Sequence, residues 1–374
     1  MNSHPEEQKE ETLATPGVLD KYQAAGKITN FVLEQVLQKI KPGAKIIEIC
    51  DFGDKLIQSE LAKAYTKKKV EKGPAFPTCI SINEICGHYS PLLSDSEDKE
   101  KDNSLLKEGD VVKIDLGTHI DGFIALGAHT VVCQDNQQVT KGRKADVILA
   151  AYKALQATLR TLKPGGKNND STQVINKVIE SYKCNALEGV LSHELKKYMI
   201  DGNNVIINKE TFDQKVDDHE FNVNEVYAID IIVSSGEGKA KETELRTTVY
   251  KRALERSYNL KTKHGRAFIY EINEKYPALC FSLRNFEDEI TTKLGVAECL
   301  KHDLLNNYPV LTEKKGEFVA QFKYTVAIMP KQIVTVAGLG LDEQLFESQY
   351  QITDETIKQL LDTPITKKAA AAKK

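Results

Sequence analysis

Two strand-like stretches each carry one aspartate among apolar residues: Asp115 in VVKIDLG and Asp230 in VYAIDII. Carboxylates on inward-facing strands that converge on one point are what a two-metal hydrolase needs. They neutralise the two ions, which share and activate a water. His193, in LSHELKKY, has the chemistry to join them. His88, in GHYSP, has that of a proton carrier or of a group that orients a substrate.

Such residues act only if the chain brings them together. Apolar residues recur with helical spacing at Ile28, Phe31, Val32 and Val36, between Pro16-Gly17 and Pro42-Gly43. Further helices are predicted over about 46–65, over 144–162 up to Pro164-Gly165-Gly166, and over 171–181. Strands are predicted around 111–116 and 122–132, with Asp121-Gly122 as the hairpin signal, and again over 318–329. The stretch from Phe76 to Pro91 reads as irregular, and the acidic run SDSEDKEKDN from Ser94 as a loop. KPGAK at Lys41 and KPGGK at Lys163 each stand between two helices, and the tetrapeptides VKID and YAID end at Asp115 and Asp230 with a similar offset. Two diverged copies of one helix–helix–strand unit account for both matches. They predict a pseudo-twofold structure with one aspartate from each half near its centre.

The chain of 374 residues, 41% apolar, is long enough for a substantial core. Its net charge of -3 excludes a polycation, so contact with nucleic acid has to come from local basic patches. Three are visible: Lys63, Lys67, Lys68, Lys69 and Lys72; Lys251, Arg252, Arg256, Lys261, Lys263 and Arg266; and Lys367, Lys368, Lys373 and Lys374 in the tail. Residues 251–316 break the repeat and read as an inserted subdomain, with Leu283, Phe286, Ile290 and Leu294 on one helical stripe. Residues 1–14 are polar and read as disordered. The seven cysteines are odd in number and without C-x-x-C spacing, which suits reduced, buried thiols of the cytosol or nucleus. The N-terminal stretch has no apolar run of the secretory kind, and no stretch reaches the length of a membrane span. GEGKAK, from Gly236, lacks the spacing of a phosphate-binding loop, and Ile357-x-x-Leu360-Leu361 reads as helix packing.

Four blocks carry a family resemblance. FPTCISINEICGHYSP, GDVVKIDLGTHIDGFI, NEVYAIDIIVSSGEGK and EFVAQFKYT closely resemble, in order, four blocks of the type 2 methionine aminopeptidases. The insert resembles theirs as well, and the similarity runs from about Val18 to Met329. It implies an α+β, pseudo-twofold "pita-bread" fold over 15–250 and 317–350, an inserted helical subdomain over 251–316, and a C-terminal helix and basic tail over 351–374. Of that family's five metal ligands, it places the first Asp on Asp115, the second on Leu126, the His on His193, the first Glu on Asp230 and the last Glu on Lys323. The outer histidine falls on His88, and its companion near Asp201. Leu126 offers no donor. The shorter arm of Asp230 withdraws its carboxylate by roughly an ångström, against a ligand tolerance of about ±0.2 Å. A protonated Lys323 has no lone pair and repels a divalent ion. We therefore expect no catalytic residue, no metal and no cofactor, with His88, Asp115, Leu126, His193, Asp230 and Lys323 as remnants. Lys323 is expected to pair with Asp115 and Asp230 in place of the metal's charge.

SSGEGKAKETELRTTVYKR, LRNFEDE, GEFVAQFK and the lysine-rich tail are similar to the proliferation-associated, ErbB-receptor-binding protein family. That resemblance implies binding to ribosomal RNA and to the large ribosomal subunit near the nascent-chain exit. It further implies roles in ribosome assembly, translation and growth control, in the cytoplasm and nucleus, the nucleolus included. The RNA- and ribosome-binding residues are then expected among Lys63, Lys67, Lys68, Lys69, Lys251, Arg252, Arg256, Lys261, Lys263 and Arg266. A monomer without membrane contact is expected. Two alternatives remain: a signalling or transcriptional adaptor that holds proteins in the former substrate cleft, and a mononuclear aminopeptidase, against which Leu126 and Lys323 count.

Overall fold

The computed structural model describes residues 11–67, 69–92, 94, 104–136 and 138–365. The acidic run after Ser94, Lys68 and the lysines of the tail lie outside the described residues, as do the first ten.

Each half of the repeat begins with two helices. They are α1 (Val18–Leu37) and α2 (Ile46–Lys63) in the first half, and α3 (Arg143–Thr161) and α4 (Asn168–Ser181) in the second. The KPG turn between each pair has a physical requirement in common: Gly43 and Gly165 both stand at φ 79°, a left-handed conformation that glycine adopts without steric cost. The strands that follow are β1 (Lys72–Ile82), β2 (Ile85–Gly87), β3 (Val111–Ile120) and β4 (Phe123–Val132). The second half contributes β5 (Asn185–Ala186), β6 (Leu191–Glu194), β7 (Val205–Ile207) and β8 (Val226–Ser234). After the insert come β11 (Val319–Ile328) and β12 (Ile333–Ala337), and then α7 (Glu355–Asp362).

Among the described residues, the main sheet has nine strands. Its path runs β1-β3-β4-β11-β8-β6-β7, with β12 paired to β11 and β5 to β8. Side-chain alternation divides its two faces. On β11, Ala320, Phe322, Tyr324, Val326 and Ile328 join the core with α3, as do Tyr227, Ile229, Ile231 and Val233 on β8. Gln321, Lys323 and Thr325, and Ala228 and Asp230, therefore face the other way. Helix α7 packs on the same core: Ile357 is buried, and Leu360 and Leu361 lie against it.

Residues 76–91 are not irregular throughout, because β1 and β2 fall there. Pro74 and Pro77, with register shifts at Pro74/Phe76 and Phe76/Cys79, interrupt the alternation that would have marked a strand.

The insert is not purely helical. Its helices α5 (Lys263–Lys275) and α6 (Glu289–Lys301) accompany a small sheet of β9 (Val249–Arg252), Phe281–Ser282 and β10 (Leu305–Tyr308). The expected stripe does not hold along α6. Leu283 and Phe286 are buried, but Ile290 and Leu294 are 70% and 48% exposed. The helix buries Thr292, Gly295, Val296 and Cys299 instead. Gly295 explains the rotation: a Cβ there would come within 2.4 Å of Phe268, so the two helices approach closely only along the glycine face.

A buried ion pair ties the insert to the main domain. Arg284 donates to Asp54 of α2 at 2.5 Å, to Ser90 Oγ at 2.9 Å and to the Pro91 carbonyl at 3.1 Å. Asp54 also accepts the Thr78 amide at 2.8 Å. Removing one partner strands the other's charge in the interior, which costs about 3–5 kcal/mol. Arg284→Ala is expected to lose that much in denaturant unfolding, and an Asp54→Leu/Arg284→Met double variant to regain most of it. Equal losses in the single and the double variant would show that the charge pair is not the cause.

Candidate functional site

One lateral row of residues builds the site. Cys79 pairs with Asp115, Asp115 with Ala128, Ala128 with Lys323, and Lys323 with Asp230. The row crosses five strands and joins both halves of the repeat. Lys323 reaches one neighbour directly across the ladder and the other past the small side chain of Ala128. Its ammonium lies 2.6 Å from Asp115 Oδ2 and 3.1 Å from Asp230 Oδ2, so the expected pairing is present. The ring of Phe76 lies 5.5 Å from the same nitrogen. Burial works against the Lys323 charge, but Asp115 and Asp230 outweigh it and hold its pKa above the ordinary lysine value. Asp230 is pushed up by burial and by Asp115, against the lowering effect of Lys323.

Gln321, two residues before Lys323 on the same face, was not foreseen. Its amide nitrogen donates to Asp230 Oδ1 at 2.9 Å and to Asp115 Oδ2 at 3.4 Å. Strand alternation through AQFK was the signal that could have revealed it. Ser192 was missed as well; its hydroxyl accepts the Asp230 amide at 2.9 Å, beside His193.

These groups form part of the wall of a cavity of about 370 Å³, otherwise lined largely by apolar side chains such as Phe76, Leu126, Leu187 and Ile200. His88 and His193 line it too. His88 Nδ1 lies 3.1 Å from the Pro309 carbonyl, and His193 Nδ1 lies 3.1 Å from that of Gly202. Burial lowers the His88 pKa to about 4, partly opposed by the Pro309 contact, so its ring is neutral at physiological pH. His88 sits at φ 64°, between Phe76 and Tyr308. Asp201, near the position of the family's second outer histidine, is on the rim and pairs with Lys251.

The basic residues are not equally available. Lys63 pairs with Glu60 at 2.6 Å, while Lys67 and Lys69 are exposed. Lys251, with 12% of its side chain exposed, is drawn to Asp201, and Arg252 is half-buried. Arg256, Lys261, Lys263 and Arg266 are exposed around the start of α5, where Arg266 also donates to the Lys261 carbonyl at 2.7 Å. GEGKAK binds an anion from within: the Gly238 and Lys239 amides donate to the buried carboxylate of Glu313. All seven cysteines are buried and unbridged. Among the described residues, no helix is long and apolar enough to cross a membrane.

The model of the metallopeptidase family M24 matches residues 20–245. Proliferation-associated protein A of Dictyostelium discoideum is 44% identical over 382 residues, covering 100% of this chain and 97% of that protein. ErbB-3 binding protein 1 of Arabidopsis thaliana is 46% identical over 378 residues, covering 100% and 93%. This chain belongs to the proliferation-associated, ErbB-3-binding family. A solved structure of a thermophilic Arx1 superposes with a TM-score of 0.88 at 32% identity, over 94% of this chain and 100% of that one. The methionine aminopeptidase of Thermotoga maritima shares the pita-bread fold, with a TM-score of 0.59 at 18% identity, over 88% and 100%.

The M24 fold implies a metal centre, and the residues present do not fit one. The Lys323 ammonium contacts both carboxylates that an ion would have to bridge. Leu126, buried beside them, presents only hydrocarbon. The arrangement neutralises two buried carboxylates with one fixed organic cation. Lys323→Met is expected to lower stability by about 3–5 kcal/mol at neutral pH. In that variant the main influence that lowers the Asp230 carboxyl pKa against burial is gone, so its folded value lies further above the unfolded one, and the deficit is smallest at low pH and grows as pH rises through the folded value. Denaturant unfolding of both proteins across pH reads this; a pH-independent deficit would contradict it.

Proposed function

We propose that this protein is a non-catalytic RNA- and ribosome-binding member of its family. On this reading it acts at the large ribosomal subunit near the nascent-chain exit, in ribosome assembly, translation and growth regulation, in both cytoplasm and nucleus. The observation that carries the non-catalytic part is the Lys323 ammonium between Asp115 and Asp230, where a hydrolytic ion would have to sit. Support for the RNA part comes from family membership and from the exposed cations Arg256, Lys261, Lys263 and Arg266 on the insert. Clustered cations of this kind bind phosphates by releasing counterions, so binding weakens as salt rises.

The test is co-sedimentation of the purified protein with ribosomes over a salt series, beside a variant with Arg256, Lys261, Lys263 and Arg266 changed to Gln. The wild type is expected to pellet with large subunits and to release as salt rises, and the variant to stay in solution. If neither pellets at low salt, the ribosome reading fails. The apolar cavity favours a second reading, an adaptor that holds a peptide there. Partner capture that survives RNase and is lost on filling the cavity, as in Ala228→Phe, would favour it.

Loss of the metal site involves more than one residue. Lys323→Glu alone is therefore expected to show no aminopeptidase activity on methionyl peptides with added Co²⁺ or Mn²⁺, since Leu126 still supplies no ligand. Turnover by that single variant would show that Leu126 is not an obstacle.

A further inference from the structure

A second basic surface lies apart from the cations at the start of α5, where residues 237–241 of the main domain meet the last residues of the insert. The two-residue strand Lys241–Glu242 pairs antiparallel with Leu311–Thr312, Lys241 opposite Thr312. Lys239 and Lys314 flank this short ladder, and Lys239, Lys241, Lys314 and Lys315 are all exposed.

The backbone under these lysines is fixed by one buried carboxylate. Glu313, 5% exposed, accepts the Ser234 hydroxyl at 2.9 Å, the Gly238 amide at 2.6 Å and the Lys239 amide at 3.3 Å. Its other oxygen accepts the Lys314 amide at 2.9 Å. Both lysine-bearing segments therefore hang from the same side chain, and their spacing is set before any ligand arrives. The local acids are largely engaged elsewhere. Glu313 is enclosed by its donors, and Glu317 is held by Arg143 and Ser235. Strand alternation turns Glu242 to the face opposite Lys241.

One acid stands among the cations. Glu237 is exposed and forms an ion pair with Lys314. Hydrogen bonding and attraction from Lys314 lower its carboxyl pKa, and Lys239 and Lys241 add to the effect. Three lysines thus surround a single carboxylate in water and leave a positive surplus. An exposed pair of this kind is weak, so a better anion can displace the carboxylate. A phosphodiester backbone brings several negative groups in a row, which suits lysines spread along a two-stranded turn.

We propose that the surface built by residues 237–241 and 312–315 binds the phosphate backbone of RNA, with the Glu237 carboxylate holding the place of one phosphate in the free protein. This rests on the RNA-binding reading above and adds a contact apart from the α5 cluster, together with an internal competitor that weakens it.

The test is fluorescence anisotropy of a labelled oligouridylate of about twenty nucleotides, longer than the roughly 4–16 that a single-strand site covers, across a salt series. Three variants of the full chain are compared with the wild type: Glu237→Gln, Lys239→Gln/Lys241→Gln, and the four-residue insert variant. All substituted side chains are exposed, so thermal melting serves as the check on folding. Glu237→Gln is expected to tighten binding roughly 3- to 10-fold. It should also steepen the log–log salt slope by about 0.7, the value for one more phosphate of a single strand neutralised. Lys239→Gln/Lys241→Gln is expected to weaken binding and flatten the slope. A merely structural role for Glu237 would not tighten binding. If Glu237→Gln binds no better than wild type, the inference is overturned. If binding is lost only in the insert variant and is indifferent to the other two, this inference falls and the RNA-binding reading stands. If the insert variant binds as well as wild type while the other two shift as expected, the insert assignment falls and this inference stands. Absence of binding by all proteins overturns both.

Discussion

The ammonium of Lys323 stands between two carboxylates that come from opposite halves of the sheet, and neither would be tolerated at that depth unpaired. The constraint reaches outward from there. Lys323 can touch Asp115 only because Ala128, between them in the row, has almost no side chain. It can touch Asp230 only in the register that pairs them directly. A slip of one residue would turn Lys323 into the apolar core against α3 and turn Phe322 or Tyr324 toward the cavity. A buried ion pair of this type adds little net stability over a well-packed apolar substitute, but breaking it is costly. Its effect is therefore to fix the register at the seam between the halves.

The seam shows the same pseudo-twofold logic in its hydrogen bonds. β4 and β11 meet in the ladder only at Lys323 and Ala128. On either side a threonine hydroxyl takes over from main-chain pairing. Thr130 of β4 bonds both the amide and the carbonyl of Gln321, at 2.8 and 2.7 Å. Thr325 of β11 bonds both the amide and the carbonyl of Leu126, at 2.8 Å each. Four buried main-chain groups that the diverging strands would leave without partners are satisfied by two side chains. Leu126 is thus a structural partner of the seam.

The larger frame was legible because its determinants are local. The KPG turns need glycine at positive φ, the helices carry their spacing, and the two aspartates stand out in apolar strands. What escaped the sequence depends on three-dimensional neighbours. β1 was hidden by two prolines and two register shifts, whose compensation lies in the strand beside it. The orientation of α6 was hidden because Gly295 carries no hydrophobic signal, although its missing side chain decides which face packs on Phe268. Lys251 looked like its basic neighbours until Asp201, fifty residues earlier, was seen beside it. The insert cluster available to a polyanion is consequently smaller than the run of charges suggested.

A second buried lysine shows what the two carboxylates accomplish. Lys113 stands on β3, two residues from Asp115, and is only 1% exposed. Its ammonium donates to the carbonyls of Asn83 and Val319, each at 2.9 Å, which are dipoles and not charges. Burial lowers its pKa to about 7, with small opposing effects from Cys86, Glu84 and Asp110. Lys323, also buried but facing Asp115 and Asp230, moves the other way. The linkage signs follow. Between about pH 7 and the ordinary lysine value the unfolded chain holds more protons at Lys113 than the folded one, so that residue makes stability rise with pH. For Lys323 the folded state holds its proton more tightly, so its contribution is complete below the ordinary value and is lost only as pH rises through the folded one. One residue type in one sheet therefore serves as a titratable tether between carbonyls in one place and as a permanent cation in another. Only the permanent cation can take over the charge that a metal ion supplies elsewhere in this fold, because it remains charged throughout the physiological range.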